Sequence, residues 1–157
     1  MKSKIKVKLA AAITGLAAIV VSQSTPRAQE TTPASRSVWD GAYTEEQAKR
    51  GKELYSRECA KCHGPDLSGV DEAPALSGGA FLANWNDLTV GDLSERVRIS
   101  MPPNKQGRLS RQQIVDILSY VLRFNSFPIG KTELDPKTEL LKQIRIEATK
   151  PKADSGS

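Results

Sequence analysis

The chain has 157 residues, enough for one ordinary domain, and carries a formal net charge of +5. A basic balance of that size points to nucleic acid or an acidic membrane surface, but the first 24 residues hold Lys2, Lys4, Lys6 and Lys8 and no acidic residue. Without those four, 19 Lys and Arg face 18 Asp and Glu, a net of +1, and losing Arg27 as well brings the sum to zero, so a nucleic-acid role loses its support.

The leader comes first. Its four lysines precede an uncharged, mostly apolar run of 13 residues, Leu9 to Val21. A membrane span needs roughly 20 apolar residues, so the run fits the core of a secretory signal peptide. Ser22-Gln23-Ser24 offers a small-residue exit with cleavage after Ser24, and Ala28 is a second cleavage position. The alternative is an uncleaved anchor. No cysteine lies near the exit and no twin arginine precedes it, which favours the general export route over a lipoprotein. After cleavage no membrane span is expected, and a bacterial periplasmic location follows. Residues 25–37 are rich in Pro, Ser and Thr without periodicity and read as a disordered linker. The folded domain is expected over residues 38–128.

Three helices are predicted in it. Thr44-Glu45-Glu46-Gln47 reads as a capping box opening a helix to about Glu58, with Ala48, Gly51 and Tyr55 on one face. A mid-helix glycine costs about 1 kcal/mol against alanine, so Gly51 marks a close approach of another element. Thr89 to Asp92 opens a second helix with Leu93 and Val97 inward, which must stop before Pro102 and Pro103. Ser110 to Gln113 opens the third, whose apolar stripe is Ile114, Ile117, Leu118, Val121 and Leu122. Gly, Pro and Asn between Gly64 and Leu88 predict loops there. Residues 129–157 form a C-terminal extension: Asp135-Pro136 reads as a helix start, a short helix through Leu140, Leu141 and Ile144 follows, and Lys150 to Ser157 reads as a disordered tail. Three helices and long loops make a thin core. Something else must fill it.

Cys59-Ala60-Lys61-Cys62-His63 supplies the candidate. C-x-x-C-H is the attachment pattern of c-type haem. The two sulfurs can add to the two vinyl groups of one porphyrin, and His63, immediately after, falls under the iron. Competing readings fit less well. A structural zinc site uses four Cys or His ligands, and the chain holds three. A thioredoxin-like motif needs a βαβ context that is absent, and a plain disulfide leaves His63 without a role. Because His63 is the single histidine, a bis-histidine iron within one chain is excluded. Apart from Met1, Met101 is the only methionine, placed where a helix breaks at Pro102. Met101 is therefore the candidate sixth ligand, the alternative being an open or water-bound iron with Met101 packed nearby.

Gly51, Tyr55, the C-A-K-C-H-G run, Pro74-Ala75-Leu76, Met101-Pro102 and the helix through Ile117 and Tyr120 resemble a class I monohaem cytochrome c, over roughly residues 42–125. The resemblance implies an all-α, cytochrome c-like fold, three main helices and long loops wrapped round one covalent haem c. It implies that Gly51 and Tyr55 meet Ile117 and Tyr120, that Pro74 accepts a hydrogen bond from His63, and that Leu76 packs on the haem. Trp85 is a candidate partner for a haem propionate, with packing alone as the alternative. The pattern, with Phe81-Leu82-Ala83-Asn84-Trp85, is similar to small bacterial cytochromes serving periplasmic dehydrogenases, quinoprotein types among them, and terminal oxidases. A monomeric one-electron carrier with no catalytic residues is the expected function. The alternatives are a fixed haem subunit of an oxidoreductase complex and a five-coordinate sensor or peroxidase-like protein. Lys61 and Lys105 are candidates for steering an acidic redox partner.

Overall fold

The computed structural model describes residues 36–152. The proposed signal peptide, both cleavage positions, linker residues 25–35 and tail residues 153–157 lie outside the described residues. Helices dominate: α1 (Glu45–Glu58), α2 (Ala60–His63), α3 (Gly78–Trp85), α4 (Val90–Ser100), α5 (Arg111–Phe124) and α6 (Thr138–Leu141). A short 3-10 turn, Val38–Asp40, precedes α1, and two-residue strands β1 (Arg36–Ser37) and β2 (Ile144–Arg145) pair in parallel. Apart from the β1–β2 pair the described residues are all-α, as expected. None of the described helices is long and apolar enough to cross a membrane.

The three predicted helices stand within a residue or two of their expected ends, because their caps are local chemistry. Thr89 Oγ1 accepts from Asp92 N at 3.1 Å while Asp92 returns the bond to Thr89 N at 2.9 Å. Ser110 and Gln113 make the same reciprocal pair. At α1 only half the box forms: Thr44 accepts from Gln47 N, but the Gln47 side chain turns inward instead. Its amide bonds both backbone groups of Leu134, donating to the carbonyl at 3.1 Å and accepting from the N–H at 2.7 Å. Gln47 thus acts as a backbone-like partner for a distant segment, fully buried.

Helices α1 and α5 make the most extensive contact between elements. Gly51 is the reason they approach so closely: a Cβ there would lie 1.8 Å from the Asp116 carbonyl oxygen and 3.1 Å from Tyr120 Cβ. Beside it the Tyr55 and Tyr120 rings stand 5.3 Å apart. The bidentate Arg50–Asp116 pair, 3.2 Å at each contact, closes the same seam, with Gln112 Nε2 donating to the second lone pair of Asp116 Oδ1. The stripe on α5 (Ile114, Ile117, Leu118, Val121, Leu122) is buried as expected.

Four features differ from the expectation. Arg36 and Ser37, assigned to the linker, are ordered as β1, and Ser37 caps the 3-10 turn. The Gly64–Leu88 stretch contains a helix, α3, whose first N–H at Gly78 is capped by Asn125 Oδ1 at 2.9 Å from the far end of α5. Asp135 caps Lys137 N through its carboxylate at 2.8 Å, so α6 begins later than the Asp-Pro pair and ends at Leu141, with Ile144 in β2. Residues 129–148, expected as an extension beyond the domain, join its core. Tyr43 Oη donates to Phe127 O, Gly130 N donates to Tyr43 O, and Leu134, Leu141, Ile144 and Ile146 are buried in the common core. Lys150–Lys152 carry no regular structure and are exposed.

Candidate functional site

Helix α1 delivers the motif. Cys59 closes α1, its N–H donating to Tyr55 O at 2.9 Å, and simultaneously starts α2, its carbonyl accepting from Cys62 N and His63 N. One helical turn therefore separates the two cysteines, which are not joined in a disulfide. Gly64 ends the turn at φ 78°, a left-handed value that suits glycine, and Tyr55 Oη donates to its carbonyl at 2.7 Å. Burial pushes the Cys59 thiol up to about 11, with the Glu58 carboxylate and then Cys62 adding to the effect.

The loop after α2 folds back on itself to reach His63. Gly69 N donates to His63 O, and Leu76 N to Leu67 O at 2.8 Å. A Cβ on Gly69, at φ +81°, would lie 2.5 Å from Ala73 O and 3.0 Å from Pro74 C, so only glycine lets the two limbs of the loop meet. That folding places Pro74 O 2.8 Å from His63 Nδ1. A carbonyl can only accept, so Nδ1 carries the proton and Nε2 keeps its lone pair for a metal. The loop is fastened at its far end by Asn125 Nδ2, which donates to Leu76 O at 2.9 Å.

Cys59, Cys62, His63, Pro74, Leu76, Trp85 and Met101, the seven residues singled out from the sequence, all line one cavity of about 900 Å³. Met101 caps the C-terminus of α4, its N–H donating to Val97 O at 2.9 Å. Trp85 stands at the end of α3, half-buried. Phe81, Leu93, Val97, Ile117, Leu118 and Val121 complete apolar walls drawn from α3, α4 and α5. Of the two lysines considered for steering, Lys61 lies on the cavity wall, exposed to solvent, whereas Lys105 is exposed and forms no part of the wall. Arg96 reaches the cavity as well.

The sequence gives Phe81 no place on the cavity wall, because the Gly, Pro and Asn content of Gly64–Leu88 predicts loop where α3 stands. It is equally silent on Asn125, whose contacts are all with residues distant in sequence or on its own helix. The residues suit haem c. The volume falls at the upper end of the roughly 300–1,000 Å³ of ligand pockets, and the wall is mainly apolar. Two cysteines one turn apart, an imidazole held by one nitrogen, and a thioether on the same wall are a set that would suit covalent haem c, with His63 and Met101 as the candidate iron ligands.

Residues 46–121 match a family model described as cytochrome c oxidase, cbb3-type, subunit III. Over 116 residues the chain is 34% identical to the cytochrome bc1 complex cytochrome c subunit of Corynebacterium diphtheriae; the match covers 72% of this chain and 38% of that protein. It is also similar to the crystal structure of the sulfane dehydrogenase SoxCD from Paracoccus pantotrophus, at 22% identity and a TM-score of 0.45 over 68% of this chain and 61% of that one.

Proposed function

We propose that the chain is a cytochrome c, a reading supported by the family match over residues 46–121, and that it is an exported one-electron carrier with haem c attached to Cys59 and Cys62. A cytochrome c domain works in haem-based electron transfer. In this reading His63 and Met101 would hold the iron, Pro74, whose carbonyl lies 2.8 Å from His63 Nδ1, would orient the imidazole, and Leu76 would pack against the porphyrin. Trp85, on the cavity wall, would hydrogen-bond a propionate. When bound, haem c supplies an iron that takes up and gives back one electron. The thioether of Met101 favours the ferrous form and raises the potential relative to a two-nitrogen site. With His63 and Met101 both holding the iron, no coordination site would be left for a substrate.

One observation supports this reading above the others: the C-x-x-C-H turn and Met101 border the same apolar cavity. The protein works in the periplasm, accepting electrons from a dehydrogenase, quinoprotein types included, and passing them to a terminal acceptor such as an oxidase through small, transient interfaces. The test is carbon monoxide binding to the reduced holoprotein. The carrier reading expects none near neutral pH, with reversible one-electron reduction retained; ready formation of a carbon monoxide adduct would turn the reading toward an open-site sensor or peroxidase-like protein.

A second reading, a fixed haem subunit of a redox complex, is favoured by the Corynebacterium diphtheriae relative, which is named as such a subunit. The chain spans 38% of that relative's length. Size-exclusion chromatography of the native extract separates the two readings: a free monomer supports the carrier, and co-elution with a large complex supports the subunit.

A further inference from the structure

None of the described residues after Phe127 lines the cavity, yet the chain from Thr138 to Ala148 fastens the turn that joins two of its walls. That turn, Asn86–Thr89, links α3, which brings Phe81 and Trp85, to α4, which brings Leu93, Val97 and Met101. Asp87 N donates to Ile146 O at 2.9 Å and Ile146 N donates to Leu88 O at 2.8 Å. Arg145 Nη1 donates to Asp87 O, and Ala148 N to Asn86 Oδ1. Asp87 itself sits at a left-handed φ of 66°, an uncommon value for a residue other than glycine. Both faces of the turn are thus committed to one segment.

That segment is in turn anchored elsewhere. β2 pairs with β1, Trp39 Nε1 donates to Glu147 O at 2.8 Å, and Leu141, Ile144 and Ile146 are buried. Lys142 presses on the first turn of α4: a Cβ at Gly91 would lie 2.8 Å from Lys142 N and 3.0 Å from its Cα. Helix α4 packs on α6 as extensively as on α5. An 11-residue helix is about 16 Å long, so a tilt of about 4° at its start moves its far end by about 1 Å. The far end is Met101.

We propose that residues 138–148 form a strap that positions Met101, by clamping the Asn86–Thr89 turn and the first turn of α4. The inference rests on Met101 as axial ligand. It makes the C-terminal segment part of what holds the methionine on the iron, and its residues are positioning residues that touch neither porphyrin nor iron.

Two variants test it in the full-length holoprotein. Ile146→Pro deletes the N–H that donates to Leu88 O; Gly91→Val drives Lys142 away from α4. Neither changes a residue that lines the cavity. The readout is the pH at which the ferric methionine-to-iron charge-transfer band is half lost. We expect that midpoint to fall by about one unit in each variant, a tenfold easier release of Met101. Gly51→Ala, which loosens the α1–α5 seam on the histidine side, serves as control and should move it less. A midpoint unchanged in both variants, or moved no further than in the control, overturns the strap.

Hydrogen exchange on the unaltered protein decides the matter without any variant. The amides of Asp87, Ile146 and Met101 should be protected together and open together. Asp87 and Ile146 exchanging as fast as the exposed amides of Lys150 and Lys152, with Met101 still protected, overturns the proposal. Were the unaltered protein to lack a Met101-dependent band, the ligand reading would fail while the exchange pattern still judged the strap.

Discussion

Replacing Gly51 by alanine sets two effects of opposite sign against each other. Alanine in a helix interior is favoured over glycine by about 1 kcal/mol, so propensity alone predicts a more stable protein. Packing predicts the reverse. The added methyl would stand 1.8 Å from the Asp116 carbonyl oxygen and 2.6 Å from its carbon, and both are backbone atoms of α5 that no rotamer change can move. Helices α1 and α5 must therefore separate by more than 1 Å, which strains the Arg50–Asp116 contacts at 3.2 Å and shifts Ile117 and Val121 on the cavity wall. Overpacking of a core costs about 1–3 kcal/mol, and a backbone clash belongs at or above the top of that range. The net expectation for Gly51→Ala is a loss of about 2 kcal/mol, or roughly 8 °C in Tm for a domain of this size. Guanidinium and thermal unfolding of the holoprotein measure it. Stability equal to or above that of the unaltered protein would refute the close-contact reasoning, because propensity would then have won.

Three further perturbations have worked outcomes. Gln47→Leu leaves the N–H and carbonyl of Leu134 without partners; at about 1–3 kcal/mol for each buried group, unfolding should show a loss of at least 2 kcal/mol, with the Leu134 amide exchanging faster. Asn125→Ala removes the donor to Leu76 O and the acceptor for Gly78 N, so about 1–3 kcal/mol should be lost, with faster exchange of the Gly78 amide as the local sign. Burial pushes the Tyr43 phenol from 10.0 to about 12, Arg123 lowering it and Glu45 raising it by smaller amounts. Since the folded value exceeds the unfolded one, its contribution to stability is whole below pH 10 and drains away as pH rises to about 12. Phenolate absorbance should thus appear together with alkaline unfolding, and ionisation of Tyr43 in a still-folded protein would contradict this.

What could be read in advance was whatever the chain settles within a few residues. The boxes at Thr89 and Ser110, the stripe from Ile114 to Leu122 and the C-x-x-C-H turn are local patterns, and helix ends and motif follow from them. The seven site residues could be picked out and are found round one cavity. Long-range partners were invisible. Helix α3 begins with Gly78-Gly79, and Ser77 makes no cap bond; what starts the helix is Asn125, 47 positions later. The half-formed box at Thr44 has the same origin, since Gln47 prefers Leu134, 87 positions away. Strands of two residues pairing Arg36 with Ile144 leave no periodicity to detect. Nothing in the sequence therefore marks the extension as part of the core, although its hydrogen bonds bind it to β1, α1 and the α3–α4 turn.

The ferric absorption spectrum of the holoprotein, recorded beside that of Met101→Ala, tests the central claim most directly. A low-spin iron with a methionine-to-iron charge-transfer band that vanishes in Met101→Ala is the expected result, with haem still attached through Cys59 and Cys62. A high-spin resting iron in the unaltered protein, or a band that survives the substitution, would contradict His63 and Met101 as the axial pair.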